Sequence, residues 1–455
     1  MFFRQYDLAC LSLYSYLIGD TTTGRAVVVD PQRDIGEYLD DAAGNGLTIE
    51  RVIETHFHAD FLSGHLELAE ATGAVISYGP GATADFPMEP LADGQVLSLG
   101  EVSLEIRHTP GHTPESISIV VRQHPGDLPW AVLTGDTLFI GDVGRPDLLT
   151  SVGRTAESLA RDLHQSLQTK LLTLPDATLV FPAHGAGSAC GKHMAAAASS
   201  TIGEQRTTNY ALAPMSDEAF VDAVTEGQSV APLYFAFAAD ANRRERGLLD
   251  DHQAPTTLSA SEVAALDDVV VIDTRSPESF ASGHLRGSIN VGLDGRFAEY
   301  AGNALRPGQR VVIAGDRGRS TEAKVRLARI GFDHVVGAID NVEQTLADHP
   351  HLAESATRLP ASDVRDWHAD DESVQIVDVR GPGEISESGA IPTSQAIPLP
   401  QLLNRLSELD PNKPTIVYCA GGYRSSVAAS ILRAHGFAQV ADVIGGYGAW
   451  AGLQA

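Results

Sequence analysis

An α/β protein of about three domains is predicted, and three observations predict it. The chain has 455 residues, more than one hydrophobic core holds at roughly 150 residues per domain. From residue 1 to about 240, short apolar runs rich in β-branched residues alternate with short helical stretches, the pattern of a mixed α/β domain. Beyond residue 257 the chain repeats itself. VVVIDTRSPESF returns as VQIVDVRGPGEI, and RVVIAGDRGRST as TIVYCAGGYRSS. Asp273 and Asp378, like Arg319 and Arg424, stand 105 residues apart. A repeat of that length is two copies of one domain, since solenoid repeats are shorter.

In the first region RAVVVD, RVIETH, AVISYG, VSLEIRH, SISIVVR, WAVLTGD and ATLVFPAHG read as strands, most of them ending in Gly, Pro or Asp turns. DIGEYLDDAAGNG and SGHLELAEATG read as helices between them, and HMAAAASSTIG as a further helix opened by a glycine-rich turn. The polar stretch 241–256 reads as a linker, and 351–359 as a second. They separate residues 1–240, 257–350 and 360–455. In each repeat copy an apolar strand leads into a glycine-rich loop and then an amphipathic helix, so a mainly parallel sheet is expected.

Acidic residues number 59 and basic ones 32, a formal charge of −27. Such a field repels nucleic acid and anionic membranes, and anionic substrates then need local positive sites. No segment approaches the ~20 apolar residues of a membrane helix. The N-terminal stretch lacks a basic region and a small-residue cleavage site, so it does not read as a signal peptide. Three scattered cysteines, Cys10, Cys190 and Cys419, form no disulfide framework and suit a reducing cytoplasm.

Four predicted strand ends deliver metal-ligand residue types. ETHFHADFLSGH brings His56, His58 and Asp60; HTPGHTPES brings His108 and His112; TGDTLFIGD brings Asp136; FPAHG brings His184. Ligands gather at carboxyl ends of strands in such folds, and burying so many polar groups without partners is costly.

These motifs, in this order, resemble the metallo-β-lactamase superfamily, which implies an αββα sandwich with a metal at one edge. Hydrolases of that superfamily, such as glyoxalase II, use H-x-H-x-D-H and two metals. Here the last position is Phe61, which argues for one metal and against a zinc thioester hydrolase. H-x-H-A-D, G-H-T-P-E-S and T-G-D-T-L-F-I-G-x-x-G-R-x-D are similar to the persulfide dioxygenase branch. That resemblance implies one Fe(II) per chain on His56, His112 and Asp136, leaving positions for substrate and O2. It makes His58 and Asp60 groups that orient ligands or substrate, and Arg145 and Asp147 supports of the metal loop. Cys190, in AHGAGSACGK after His184, is either a thiol of lowered pKa carrying sulfur near the iron or a small buried apolar residue.

Cys419 opens the loop CAGGYR between a strand and a helix. Gly421 and Gly422 allow the amides of Ala420 to Tyr423 to curl around the thiol. Ser425 reads as the helix cap, and Arg424 as a fixed positive charge favouring the thiolate. With IVDVR and GGYGAW this resembles the rhodanese family, whose active cysteine carries sulfane sulfur. The usual G-H-I segment departs to Gly389-Ala390-Ile391. The earlier copy resembles a rhodanese without its nucleophile, because Ala314 stands 105 residues before Cys419, and it reads as structural. The resemblances together imply a low-molecular-weight thiol persulfide, O2, sulfite and thiosulfate as reactants and products, with a homo-oligomer expected. A non-enzymatic sulfur carrier with a vestigial metal domain is the other reading.

Overall fold

A computed structural model of the chain describes residues 1–148, 154–364 and 374–453. They form two compact units: Met1–Gln228 with Phe235–Leu249, and Ser229–Tyr234 with Asp250–Ala455.

The first unit contains two six-stranded sheets. One runs β1 (Phe2–Leu8), β2 (Leu13–Asp20), β3 (Arg25–Val29), β4 (Thr48–Ile53), β5 (Val75–Tyr78) and β6 (Glu89–Pro90), in spatial order. β1 to β3 pair antiparallel, and β3 to β6 parallel. The other comprises β7 (Val96–Ser98), β8 (Ser103–His108), β9 (Ile117–Arg122), β10 (Ala131–Gly135), β11 (Leu179–Pro182) and β12 (Ser200–Thr201).

Period-two alternation decides what each face buries. Val27 and Val29 of β3 point with Ile18 and Ile53 into a core shared with Leu104, Ile106, Ile119, Val121 and Leu133. Val28, between them, packs outward on Tyr38, Ala42 and Leu68 of the helices Gly36–Gly44 and His65–Thr72. On the second sheet Val120, Val132 and Val180 pack outward against Ala160, Leu163 and Phe220. The expected helix–sheet–sheet–helix sandwich is therefore present. Each fully buried Val, Leu or Ile contributes roughly 1.5–3 kcal/mol to it.

The second unit holds the two repeat copies. In the first are β13 (Val269–Asp273), β14 (His284–Leu285), β15 (Ile289–Asn290), β16 (Arg310–Gly315) and β17 (Val335–Asp340); its parallel sheet has the order β15-β13-β16-β17. Two short strands follow, β18 (Ala353–Glu354) and β19 (Thr357–Leu359). The second copy has β20 (Gln375–Asp378), β21 (Gln395–Ala396), β22 (Thr415–Tyr418) and β23 (Val440–Val443), in the parallel order β19-β23-β22-β20-β21. The repeat extends to its polar core: Arg275 with Asp273 and Arg380 with Asp378 are buried ion pairs of 2.6 Å each.

Several local expectations differ. Residues 241–249 are not free linker. Asn242 accepts from the Ser63 amide and donates to the carbonyls of His58 and Phe61, and Arg246 pairs with Glu67 at 2.6 Å. The stretch 351–359 carries β18, paired with β14, and β19, paired with β23. The alanine run 195–198 forms no helix. The amides of Lys192 and His193 go instead to the Asp142 carboxylate, and that of Ala195 to the Ile140 carbonyl. The helix starts only at Ile202, capped by Thr201.

Candidate functional site

Turns leaving β4, β8, β10 and β11 place His56, His112, Asp136 and His184 within one buried cluster. His112 Nε2 lies 3.5 Å and His56 Nε2 3.8 Å from Asp136 Oδ2. The other polar atom of each residue is occupied. His112 Nδ1 donates to the Arg145 carbonyl at 2.8 Å. The Thr55 hydroxyl donates to Asp30 at 2.8 Å, so it accepts from His56 Nδ1 at 3.0 Å. Asp136 Oδ1 accepts from His184 Nδ1 at 2.7 Å. Both Nε2 atoms are thereby bare lone pairs, and His56 Nε2 and Asp136 Oδ2 have no hydrogen-bond partner. Unpaired buried acceptors facing one point are costly unless a cation sits between them. Two imidazoles and a carboxylate fit a divalent first-row metal.

Electrostatics agree with ligation. Burial pushes the His56 pKa well below the ordinary value, and neighbouring His58 adds to this, so the ring is neutral. Burial works to raise the Asp136 pKa, but His184 and then His56 outweigh it and hold the carboxyl well below its usual range. Nothing bulkier than hydrogen fits at Gly144, where a Cβ would stand 2.0 Å from the Asp136 carbonyl oxygen and 3.1 Å from His112 Nδ1.

His184 lies between two carboxylates, with Nδ1 on Asp136 and Nε2 2.8 Å from Asp60 Oδ2. Burial opposes its charge, yet Asp136 and Asp60 raise its pKa well above the ordinary value. His58, Asp60 and His184 form a second buried group of metal-ligand residue types. His58 turns its Nε2 to Asp30 at 3.1 Å and Glu54 at 3.7 Å, with the Phe61 ring 4.4 Å from its own. Glu54, fully buried, is pushed up to about 8, by burial first and then by Asp30. His108 lies apart from the cluster, its Nε2 2.9 Å from the Pro114 carbonyl.

Cys190 is fully buried, its sulfur grouped with Asp136 and His184. Burial first, then Asp60 and Asp136, push this thiol well above its ordinary pKa; the alternative of a lowered pKa is corrected. Its loop is fastened to the loop that follows Asp136. The Arg145 amide donates to the Cys190 carbonyl at 3.1 Å, and Arg145 Nη1 to that of Ala189 at 3.2 Å. Asp142, also buried, accepts from Lys192 N at 2.6 Å, His193 N at 2.7 Å, Val143 N and the Tyr210 hydroxyl, both at 2.9 Å. The Arg145–Asp147 pair, bidentate at 2.7 Å, has an arginine side chain only 3% exposed, so it is no ordinary surface pair. Asp30, Glu54, Thr55, Asp142 and Asn242 escaped the sequence reading. The strand end at VVVD was the one available signal for Asp30.

In the second unit Cys419 follows β22 directly and is buried. Gly422, at φ +99°, turns its amide onto the sulfur at 3.1 Å. The helix Tyr423–Ala434 begins two residues before Ser425, with Gly422 at the cap position. Ser425 is thus no cap; its hydroxyl lies 3.6 Å from the Cys419 sulfur instead. Arg424 is not a free charge either: both its terminal nitrogens donate to Glu384, at 2.7 and 2.6 Å. The GGYGAW turn supports the loop, Tyr447 N donating to the Cys419 carbonyl at 2.7 Å and Gly448 N to that of Ala420 at 3.1 Å. In the first copy Ala314, next to last in β16, supplies no nucleophile, and half-buried Arg319 pairs with Asp294 and Glu322.

Residues 9–184 match the metallo-beta-lactamase superfamily, and residues 259–341 and 361–453 each match the rhodanese-like domain. The mitochondrial persulfide dioxygenase ETHE1 of Bos taurus is 33% identical over 239 residues, which cover 51% of this chain and 83% of that protein. The Homo sapiens enzyme of the same name is 32% identical over 235 residues, 51% of this chain and 83% of its own. The crystal structure of a metallo-β-lactamase from Staphylococcus aureus subsp. aureus COL superposes with a TM-score of 0.67 at 33% identity, covering 74% of this chain and 98% of that one. The chain belongs to the persulfide dioxygenase family of the metallo-β-lactamase superfamily, and two rhodanese-like domains follow that domain in it.

Proposed function

We propose that the first unit oxidises a low-molecular-weight thiol persulfide with O2, R–S–SH + O2 + H2O → R–SH + SO3²⁻ + 2H⁺, at one Fe(II) held by His56, His112 and Asp136. The observation that carries this is the convergence of His56 Nε2, His112 Nε2 and Asp136 Oδ2, with every other polar atom of those side chains engaged. Bound there, iron supplies open positions for sulfur and O2 and the redox capacity to join them. His184 keeps Asp136 ionised and aimed, the Asp30–Thr55 pair fixes the His56 tautomer, and the Arg145 carbonyl fixes that of His112. Phe61 and Phe139, both buried and beside His58 and His184, keep water from the site. Cys190 lines it as a neutral thiol.

The second unit transfers sulfane sulfur among persulfide, sulfite and thiosulfate through a Cys419 persulfide. Gly422 N–H stabilises the charged sulfur, and a single chain raises the effective concentration of one site for the other's product. Three buried cysteines, none of them in a disulfide among the described residues, suit a reducing compartment such as the cytoplasm. Among the described residues no helix is long and apolar enough to cross a membrane. The test is a pair of variants. Asp136→Ala abolishes persulfide-dependent O2 uptake and spares sulfur transfer from thiosulfate; Cys419→Ser does the reverse. Full O2 uptake by Asp136→Ala sinks the ligand set.

A further inference from the structure

The cysteine-less copy reaches the loop of the other. Its helix Phe297–Ala304 packs against the helix that follows Cys419. Asn290 takes a hydrogen bond from Ser426 at 2.7 Å and gives one to Ser430 at 2.9 Å, all three residues buried. The Tyr423 hydroxyl donates to the Gly292 carbonyl. Tyr300, on that neighbouring helix, has its ring 5.2 Å from the ring of Tyr423. No described residue forms a hydrogen bond with the Tyr300 hydroxyl. Burial chiefly, and Glu299 next, keep this phenol protonated, and Arg424 and Cys419 are among the charged groups it senses.

Thiosulfate arriving at Cys419 brings two negative charges into a chain of net charge −27. Arg424, the cation of the loop, is already committed to Glu384. A neutral phenol supplies a further donor beside the loop amides.

We propose that Tyr300 of the cysteine-less copy completes the Cys419 site, donating its hydroxyl to the sulfonate of bound thiosulfate. This rests on the sulfur-transfer reading of Cys419. In the step concerned, the Cys419 thiolate attacks the sulfane sulfur, the S–S bond of thiosulfate breaks, and sulfite leaves with the bonding pair. Cys419 keeps the persulfide, and Tyr300 keeps its proton throughout. Tyr300 is a specificity-determining residue in this account, and the first copy is part of the active site.

The full chain is assayed with thiosulfate as donor and cyanide as acceptor, and again with an organic persulfide, which carries no sulfonate, as donor. Loss of one hydrogen bond to a charged group is expected to raise the KM for thiosulfate about tenfold or more in Tyr300→Phe. The kcat stays within about twofold, and the KM for the sulfonate-free donor is unchanged. Tyr300→Gln, which keeps a donor, lies between. An unchanged KM for thiosulfate, or an equal rise for both donors, overturns the proposal. If Tyr300→Phe does not fold, thiosulfate is titrated onto the Cys419→Ser chain, which retains Tyr300. A change in tyrosine absorbance is expected there, and a flat titration overturns the proposal. Sulfur transfer that survives Cys419→Ser instead sinks the underlying reading of the site.

Discussion

His184 holds Asp136 by one oxygen, with Nδ1 2.7 Å from Oδ1, and leaves Oδ2 facing the Nε2 atoms of His56 and His112. The imidazole thus orients the Asp136 carboxylate. His184→Asn is expected to weaken iron binding about 10- to 100-fold, read as iron content after dialysis against a graded chelator. Iron retention equal to the unaltered chain would show that Asp136 needs no such support.

Phe61 marks the departure from two-metal relatives. Its ring is buried beside His58, in the neighbourhood of Asp60 and His184. Phe61→His is expected to bind a second equivalent of zinc per chain and to lose O2 uptake. Metal analysis after zinc loading checks this, and a stoichiometry that stays at one refutes it.

Asp142 gathers the amides of Val143, Lys192 and His193 and the Tyr210 hydroxyl on one buried carboxylate. Asp142→Ala leaves those donors without an acceptor, at roughly 1–3 kcal/mol for each one that water does not reach. The loop carrying Cys190 loosens, so alkylation of Cys190 accelerates about tenfold or more by peptide mapping. An unchanged rate contradicts this.

His284 is buried against Phe280, the rings 3.8 Å apart, with Nδ1 2.8 Å from the Phe280 carbonyl. Burial first, with Arg433 and Arg275 adding, depresses its pKa to about 4, against ~6.5 unfolded. Between those values the unfolded chain binds more protons than the folded one. Stability contributed by the neutral ring is therefore full above pH ~6.5 and falls as pH drops toward 4, by at most about 3 kcal/mol. In the second unit His284→Gln is expected to flatten that part of the unfolding-midpoint profile. A profile identical to that of the unaltered chain contradicts the buried neutral ring.

Much of this was legible in the sequence because strand ends punctuate it. The seven strand segments expected between residues 25 and 182 all form. His56, His112 and Asp136 meet because successive strand ends converge on one edge of a sandwich. The hairpin of β1 and β2 was not read. LYSYLIGD is buried on both faces, so it lacks the alternation that betrays a half-buried strand. Asn242 pins the 58–63 loop from about 180 residues away in sequence, and no local pattern announces that. Ser425 failed as a cap because Gly422 already turns the chain into the helix. The pairing of Arg424 with Glu384 joins residues 40 apart, a tertiary fact that the loop motif does not contain.

The most direct test follows O2 consumption by the purified iron-loaded chain on addition of a low-molecular-weight persulfide, with bound metal and sulfite measured in the same sample. One iron per chain and one O2 consumed for each sulfite formed are expected. Zinc in place of iron, with no O2 consumed, would contradict this.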